Sequence, residues 1–128
     1  MASSVSRNVD FSLDGAIVVV TALESGQEIW RGTPYGHDAL QVVSSPDHDV
    51  AAVLFDDGGD SLSDASNLVV IDHRGKARWR AEIPTSDPND MYTSIELENG
   101  HLSAFSWSCH RVSFDFMTGE VLSTKYTK

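Results

Sequence analysis

Cysteine is almost absent from this chain: Cys109 is the only one in 128 residues. An intramolecular disulfide and a cysteine-rich zinc site are therefore excluded. The five histidines, His37, His48, His73, His101 and His110, show neither His-x-His nor His-x-x-x-His spacing, so no zinc site is expected. No apolar run approaches the ~20 residues that cross a bilayer, and the N-terminus lacks the apolar core of a signal peptide. These absences lead to the expectation of a cytoplasmic protein with no cofactor and no metal. No segment sustains a 3.6-residue apolar period over a helical length. Positive charge is scarce as well: 9 Lys and Arg stand against 19 Asp and Glu, a net charge of −10. Residues 1–66 carry eleven acids and two bases, and residues 67–128 carry eight and seven. Nucleic acid and anionic membranes would be repelled over most of such a surface. A basic protein partner matches it better, and the charge also serves solubility.

What the chain does contain is β-strand signal. Short runs rich in β-branched and aromatic residues occupy 8–13, 16–23, 28–32, 39–44, 50–55, 67–72, 77–83, 92–97, 102–107, 111–116 and 121–126. Gly, Pro, Asn, Asp and Ser punctuate them, with Asn99-Gly100 the strongest hairpin signal. The reading is an all-β antiparallel meander of about 11 strands in one domain, 1–128. The Met1 start and the Lys125-Tyr126-Thr127-Lys128 ending are read as those of a whole gene product. The continuous apolar runs Ile17 to Val20, Val50 to Phe55 and Leu68 to Ile71 suit strands covered on both faces. Val112, Phe114 and Phe116 alternate with Arg111, Ser113 and Asp115, so that strand should have one wet face. Lys76, Arg78 and Arg80, the only positive cluster together with Arg74, are expected on a solvent face beside acidic neighbours.

Three segments share a pattern of apolar strand, tight turn ending in Gly, and second strand. They run from Ile17 through Gly26 to Trp30, from Leu68 through Gly75 to Trp79, and from Val112 through Gly119 to Leu122. Internal repetition of this kind governs the choice of fold. Asp72 to Trp79 and Asp115 to Leu122, with Thr118-Gly119 in the second, resemble the last two strands of a pyrroloquinoline-quinone-type β-propeller blade. Ser123 stands where the other units have Trp30 and Trp79. The resemblance implies blade-like units at about 8–32, 39–83 and 92–127. Three units do not close a ring of ~4–8 blades. A sandwich-like stack of blade-like sheets is the favoured arrangement, and self-association of a partial propeller is the alternative, so a monomer or small homo-oligomer is expected. The repeat Trp residues read as core anchors, and the Gly residues as enabling tight turns.

The sharpest motif outside the repeat is Gly59-Asp60-Ser61-Leu62-Ser63-Asp64, which resembles the nucleophile block of the GDSL esterases and lipases. The resemblance implies Ser61 as nucleophile, with a distant His as base and an Asp three residues before that His to orient it. Three residues before His101, His110 and His73 stand Glu98, Trp107 and Val70, so Glu98–His101 is the nearest substitute. That family is α/β, whereas a strand begins here by Leu68. The same loop gathers Asp56, Asp57, Asp60 and Asp64, hard oxygen ligands of the kind calcium takes. Their spacing is not that of an EF-hand, and a solvated acidic loop is expected. Loops of this length often carry binding function. Cys109-His110 could suggest a thiolate–imidazole pair, but strand neighbours point to opposite faces, and a buried or half-buried structural Cys109 is expected. The Asp87-Pro88-Asn89-Asp90 loop shows nothing that demands chemistry. The leading expectation is thus a non-enzymatic interaction module, for example a bacterial immunity- or inhibitor-type protein that binds a basic partner through Asp56, Asp57, Asp60 and Asp64. The alternatives are a small esterase using Ser61 and a self-assembling propeller segment.

Overall fold

The computed structural model describes residues 7–56, 66–85 and 90–127. Eleven strands run in chain order as β1 (Val9–Asp14), β2 (Ile17–Ala22), β3 (Glu28–Gly32), β4 (Ala39–Ser44), β5 (Val50–Phe55), β6 (Leu68–Asp72), β7 (Ala77–Arg80), β8 (Tyr92–Glu98), β9 (His101–Ser106), β10 (His110–Phe114) and β11 (Val121–Tyr126). They form three antiparallel meanders, β1-β2-β3, β4-β5-β6-β7 and β8-β9-β10-β11. The all-β, blade-like expectation holds. At two of the strand ends that differ, a bonded turn has taken the residue. Asp115 caps the β10–β11 turn, so β10 stops at Phe114. Trp107 belongs to the β9–β10 turn rather than to β9.

The middle sheet explains the continuous apolar runs. Along β5, Val50, Ala52 and Leu54 join the core against the third sheet, while Ala51, Val53 and Phe55 join the core against the first. Leu68 and Val70 divide from Val69 and Ile71 in the same way. A strand covered on both faces needs apolar residues at both parities. The outer sheets contribute one apolar face each, through Val9, Phe11, Val18 and Val20 on one side and Leu102, Ala104, Val112 and Phe114 on the other.

Both outer faces are polar, and each is organised around an arginine. Arg31 pairs with Glu28 at 2.7 Å and Asp14 at 3.3 Å. Arg111 pairs with Glu98, lies 3.6 Å from Glu96, donates to Ser103 Oγ at 3.0 Å and covers the Phe105 ring. Polar outer faces are what end repeats need if the stack is not to grow.

The repeat motif couples neighbouring sheets. A Cβ on Gly75, where φ is +77°, would lie 2.1 Å from the Trp30 ring, and one on Gly119 would lie 2.6 Å from the Trp79 ring. Trp30 and Trp79 therefore each lie on the glycine turn of the next sheet. Trp79 also donates its Nε1–H to Phe116 O at 2.8 Å. A Cβ on Gly26, in the first sheet, would meet nothing within 4 Å, since no sheet precedes it among the described residues. No described sheet follows β11, where Ser123 replaces the Trp.

The repeated Asp also has a local job. Asp72 Oδ1 accepts the N–H groups of Arg74 and Lys76 at 2.9 and 3.0 Å. Asp115 Oδ1 accepts those of Thr118 at 3.0 Å and Met117 at 2.9 Å. These backbone bonds, Thr118 first, hold the Asp115 carboxyl below the usual carboxylate range. A lowered folded pKa contributes stability that is present above the unfolded value of about 4 and is lost as pH falls through the folded one. Asp115→Asn is therefore expected to melt below wild type at neutral pH, with the gap closing on acidification. A gap constant with pH would show that the carboxylate charge does not hold this turn.

Two expectations need correction. Cys109 is exposed, because it sits in the β9–β10 turn with φ +66° rather than in a strand. The basic stripe is not matched by acids: none of Arg74, Lys76, Arg78 and Arg80 makes an ion pair with a described residue. A bulge between Val70 and Ile71 in the pairing with β7 breaks the alternation there, and Arg80 is half-buried instead of solvated.

Candidate binding surface at the loop end

Antiparallel order gives the stack two unlike ends. At one end the connections within sheets are short: β2–β3, β4–β5, β6–β7, β8–β9 and β10–β11. The other end carries the β1–β2 turn and the connection 33–38, the points where the chain leaves β5 and β7 and enters β6 and β8, the β9–β10 turn and the end of β11. Long loops on a rigid scaffold are where binding residues concentrate.

In 33–38 the chain makes a short turn, Pro34–Gly36, with Tyr35 in the left-handed region at φ +52°. Tyr35 and His37 both lie against Phe55, with ring centroids 5.7 and 5.6 Å away. The Arg80 guanidinium stacks 4.1 Å from the Tyr35 centroid, and its Nε donates to Ser66 O at 2.8 Å. Its second terminal nitrogen is buried with no hydrogen-bond partner among the described residues. Beside this group, Asp56 N donates to Asp38 O at 2.8 Å, which sets two exposed acids at neighbouring strand ends.

On the third sheet, Asp90 is 4% exposed and accepts four hydrogen bonds: from Thr85 Oγ1 at 2.8 Å, Met91 N at 2.9 Å, Ser108 N at 3.1 Å and Ser108 Oγ at 2.7 Å. Ser108 Oγ also meets His110 Nδ1 at 2.9 Å. The set has the residue types of a hydrolase triad in the wrong order, with the hydroxyl in the middle and the imidazole not touching the carboxylate. With four donors on it, Asp90 ties Thr85 and Met91 to the β9–β10 turn. Burial, with the Asp90 and Glu82 charges adding to it, pushes the nearby Tyr92 phenol above its usual range.

Of the residues singled out in the acidic loop, Asp56 is at the end of β5. Asp57, Asp60, Ser61 and Asp64 lie outside the described residues. The substitute pair Glu98–His101 sits at the β8–β9 turn, the end of the stack opposite to Asp56 and Ser66, between which Ser61 falls in sequence, and Glu98 is engaged by Arg111. No α-helix occurs among the described residues, so the esterase reading finds no support. Among the described residues no cluster of three or more His, Cys, Asp and Glu could hold a metal ion, and no helix is long and apolar enough to cross a membrane.

Sequence reasoning passed over Asp90, Tyr35 and Trp107. Asp90 gave no local signal, because its partner Ser108 is 18 residues away. Trp107 could have been noticed as the one Trp outside the repeat position.

No curated protein matches the sequence. Among solved structures the chain is similar to "Dihydro-heme d1 dehydrogenase NirN in complex with DHE", at 13% identity and TM-score 0.63 over 94% of this chain and 25% of that one. It is also similar to BamB from Moraxella catarrhalis, at 14% identity and TM-score 0.57 over 92% of this chain and 33% of that one. Both are β-propeller proteins, and the chain spans a quarter to a third of their length, so the likeness is one of fold. A family model matches residues 35–126, from the Tyr35 turn to the end of β11, and the chain thus belongs to the family described as "Domain of unknown function (DUF7957)".

Proposed function

We propose that the chain is a non-enzymatic interaction module that offers its loop end to a basic protein partner, as proteins that neutralise a basic toxin do. The observation that carries this reading is the location of the exposed aromatic side chains. Among the described residues these are Tyr35, Trp107 and Tyr126, and all three are at the loop end. Exposed Asp14, Asp38, Asp56 and Glu82 accompany them. Aromatic side chains are enriched at the centres of interfaces, and acids steer a basic partner to the surface. The polar outer faces built around Arg31 and Arg111 favour a self-contained stack over a ring assembled from several copies.

The test is the association rate with an immobilised deca-arginine peptide over a salt series. Association is expected to slow steeply with ionic strength. Asp38→Asn with Asp56→Asn is expected to slow it about threefold at low salt. Salt-insensitive binding, or none at low salt, would overturn the reading.

A further inference from the structure

We propose that Trp107 is the anchor of this surface, a preformed indole that takes a guanidinium or ammonium group of the basic partner on its face; the proposal rests on the reading of the loop end as an interface. Trp107 is 63% exposed. The other two Trp residues stand four positions after a turn glycine and lie on the turn of the next sheet. Trp107 has no such place in the repeat, so a core role does not account for it.

The turn that carries it is held from every side. Trp107 N donates to Met91 O at 2.7 Å, and Cys109 N to Ser106 O at 3.0 Å. Ser108 is fixed to both oxygens of buried Asp90, and Ser106 Oγ meets Ser108 Oγ at 2.8 Å and accepts His110 N at 3.1 Å. From the end of the chain, Thr127 donates to Cys109 O through N at 2.6 Å and through Oγ1 at 3.1 Å. Cys109 is held at φ +66°, a left-handed conformation that is strained for an L-residue. Strain of this kind persists only where the surroundings over-determine it. Here a hydrogen-bonded turn presents most of an indole to water, where that surface adds nothing to the core. Rigid aromatic side chains lose little entropy on binding, and Trp is the best ring for a cation. Tyr126, equally exposed and with its ring 5.5 Å from that of His110, sets a second aromatic group beside the same turn. The net charge of −10, with exposed Asp14, Asp38, Asp56 and Glu82 at the same end of the stack, draws a cationic partner to the end where both rings stand.

Deca-arginine binding by Trp107→Ala, Trp107→Phe and Asp56→Asn tests this, with thermal melts to show that each variant is folded. Trp107→Ala is expected to weaken binding about tenfold, leaving the salt slope unchanged because no charge is removed, and Trp107→Phe to restore part of the loss. In the wild type the peptide should protect one indole from acrylamide quenching, a protection absent from Trp107→Phe. If Trp107→Ala binds as wild type does while Asp56→Asn weakens binding, the anchor is overturned and the interface stands. If the wild-type chain does not bind at low salt, the interface reading fails and the anchor with it.

Discussion

Trp79→Ala is expected to lower the unfolding free energy by about 4 kcal/mol, the middle of the range for truncating a packed aromatic. Its ring covers the Gly119 turn, lies 5.3 Å from the Phe114 ring and joins the core between the second and third sheets. Its Nε1–H satisfies Phe116 O. Truncation removes the packing and leaves that carbonyl without its donor. Trp79→Phe separates the two effects: the ring is largely kept, the donor is lost, and about 1–2 kcal/mol should go. Trp107→Ala is the internal control, since its exposed side chain should cost within about 0.5 kcal/mol. Urea unfolding of the three variants measures this. A Trp79→Ala cost near that of Trp107→Ala would mean that the ring does not join the sheets.

Asp90→Ala is expected to cost about 3 kcal/mol and to lower Tm by about 10 °C, given the usual unfolding entropy per residue. The carboxylate is buried, and its loss removes the acceptor shared by two backbone N–H groups and two hydroxyls near the start of β8 and the β9–β10 turn. Buried donors left without acceptors carry their full desolvation penalty. The loss should also loosen the turn that holds Trp107, so deca-arginine binding should fall in this variant although Asp90 is too buried to meet a partner. Calorimetry checks the first effect and the peptide titration the second. A Tm within about two degrees of wild type would show that water replaces the carboxylate without loss.

The two residues differ in how far they could be foreseen. Trp79 lies in the repeat, four residues after Gly75, and its packing role follows from its match with Trp30. Asp90 lies in a run of polar loop residues, and its role comes from Ser108 across a strand pair. Val50 to Phe55 shows how much local pattern can carry: six apolar residues in a row already imply burial on both faces, and β5 is the strand that two cores share. Cys109 shows the converse. Read as a strand residue it would be buried, yet the bonds from Ser106, Asp90 and Thr127 turn the chain there and expose it.

Strands, their order in meanders, glycine turns and acidity were all legible in the residues alone. Each depends on neighbours a few positions away, through side-chain alternation and backbone freedom. Folding in three dimensions added what no local pattern encodes. Trp rings couple successive sheets, Arg31 and Arg111 cover the outer faces, and Tyr35, Trp107 and Tyr126 share one end with Asp14, Asp38 and Asp56. Those relations join residues far apart in the chain, and they arise because sheets stack and because antiparallel strands alternate in direction.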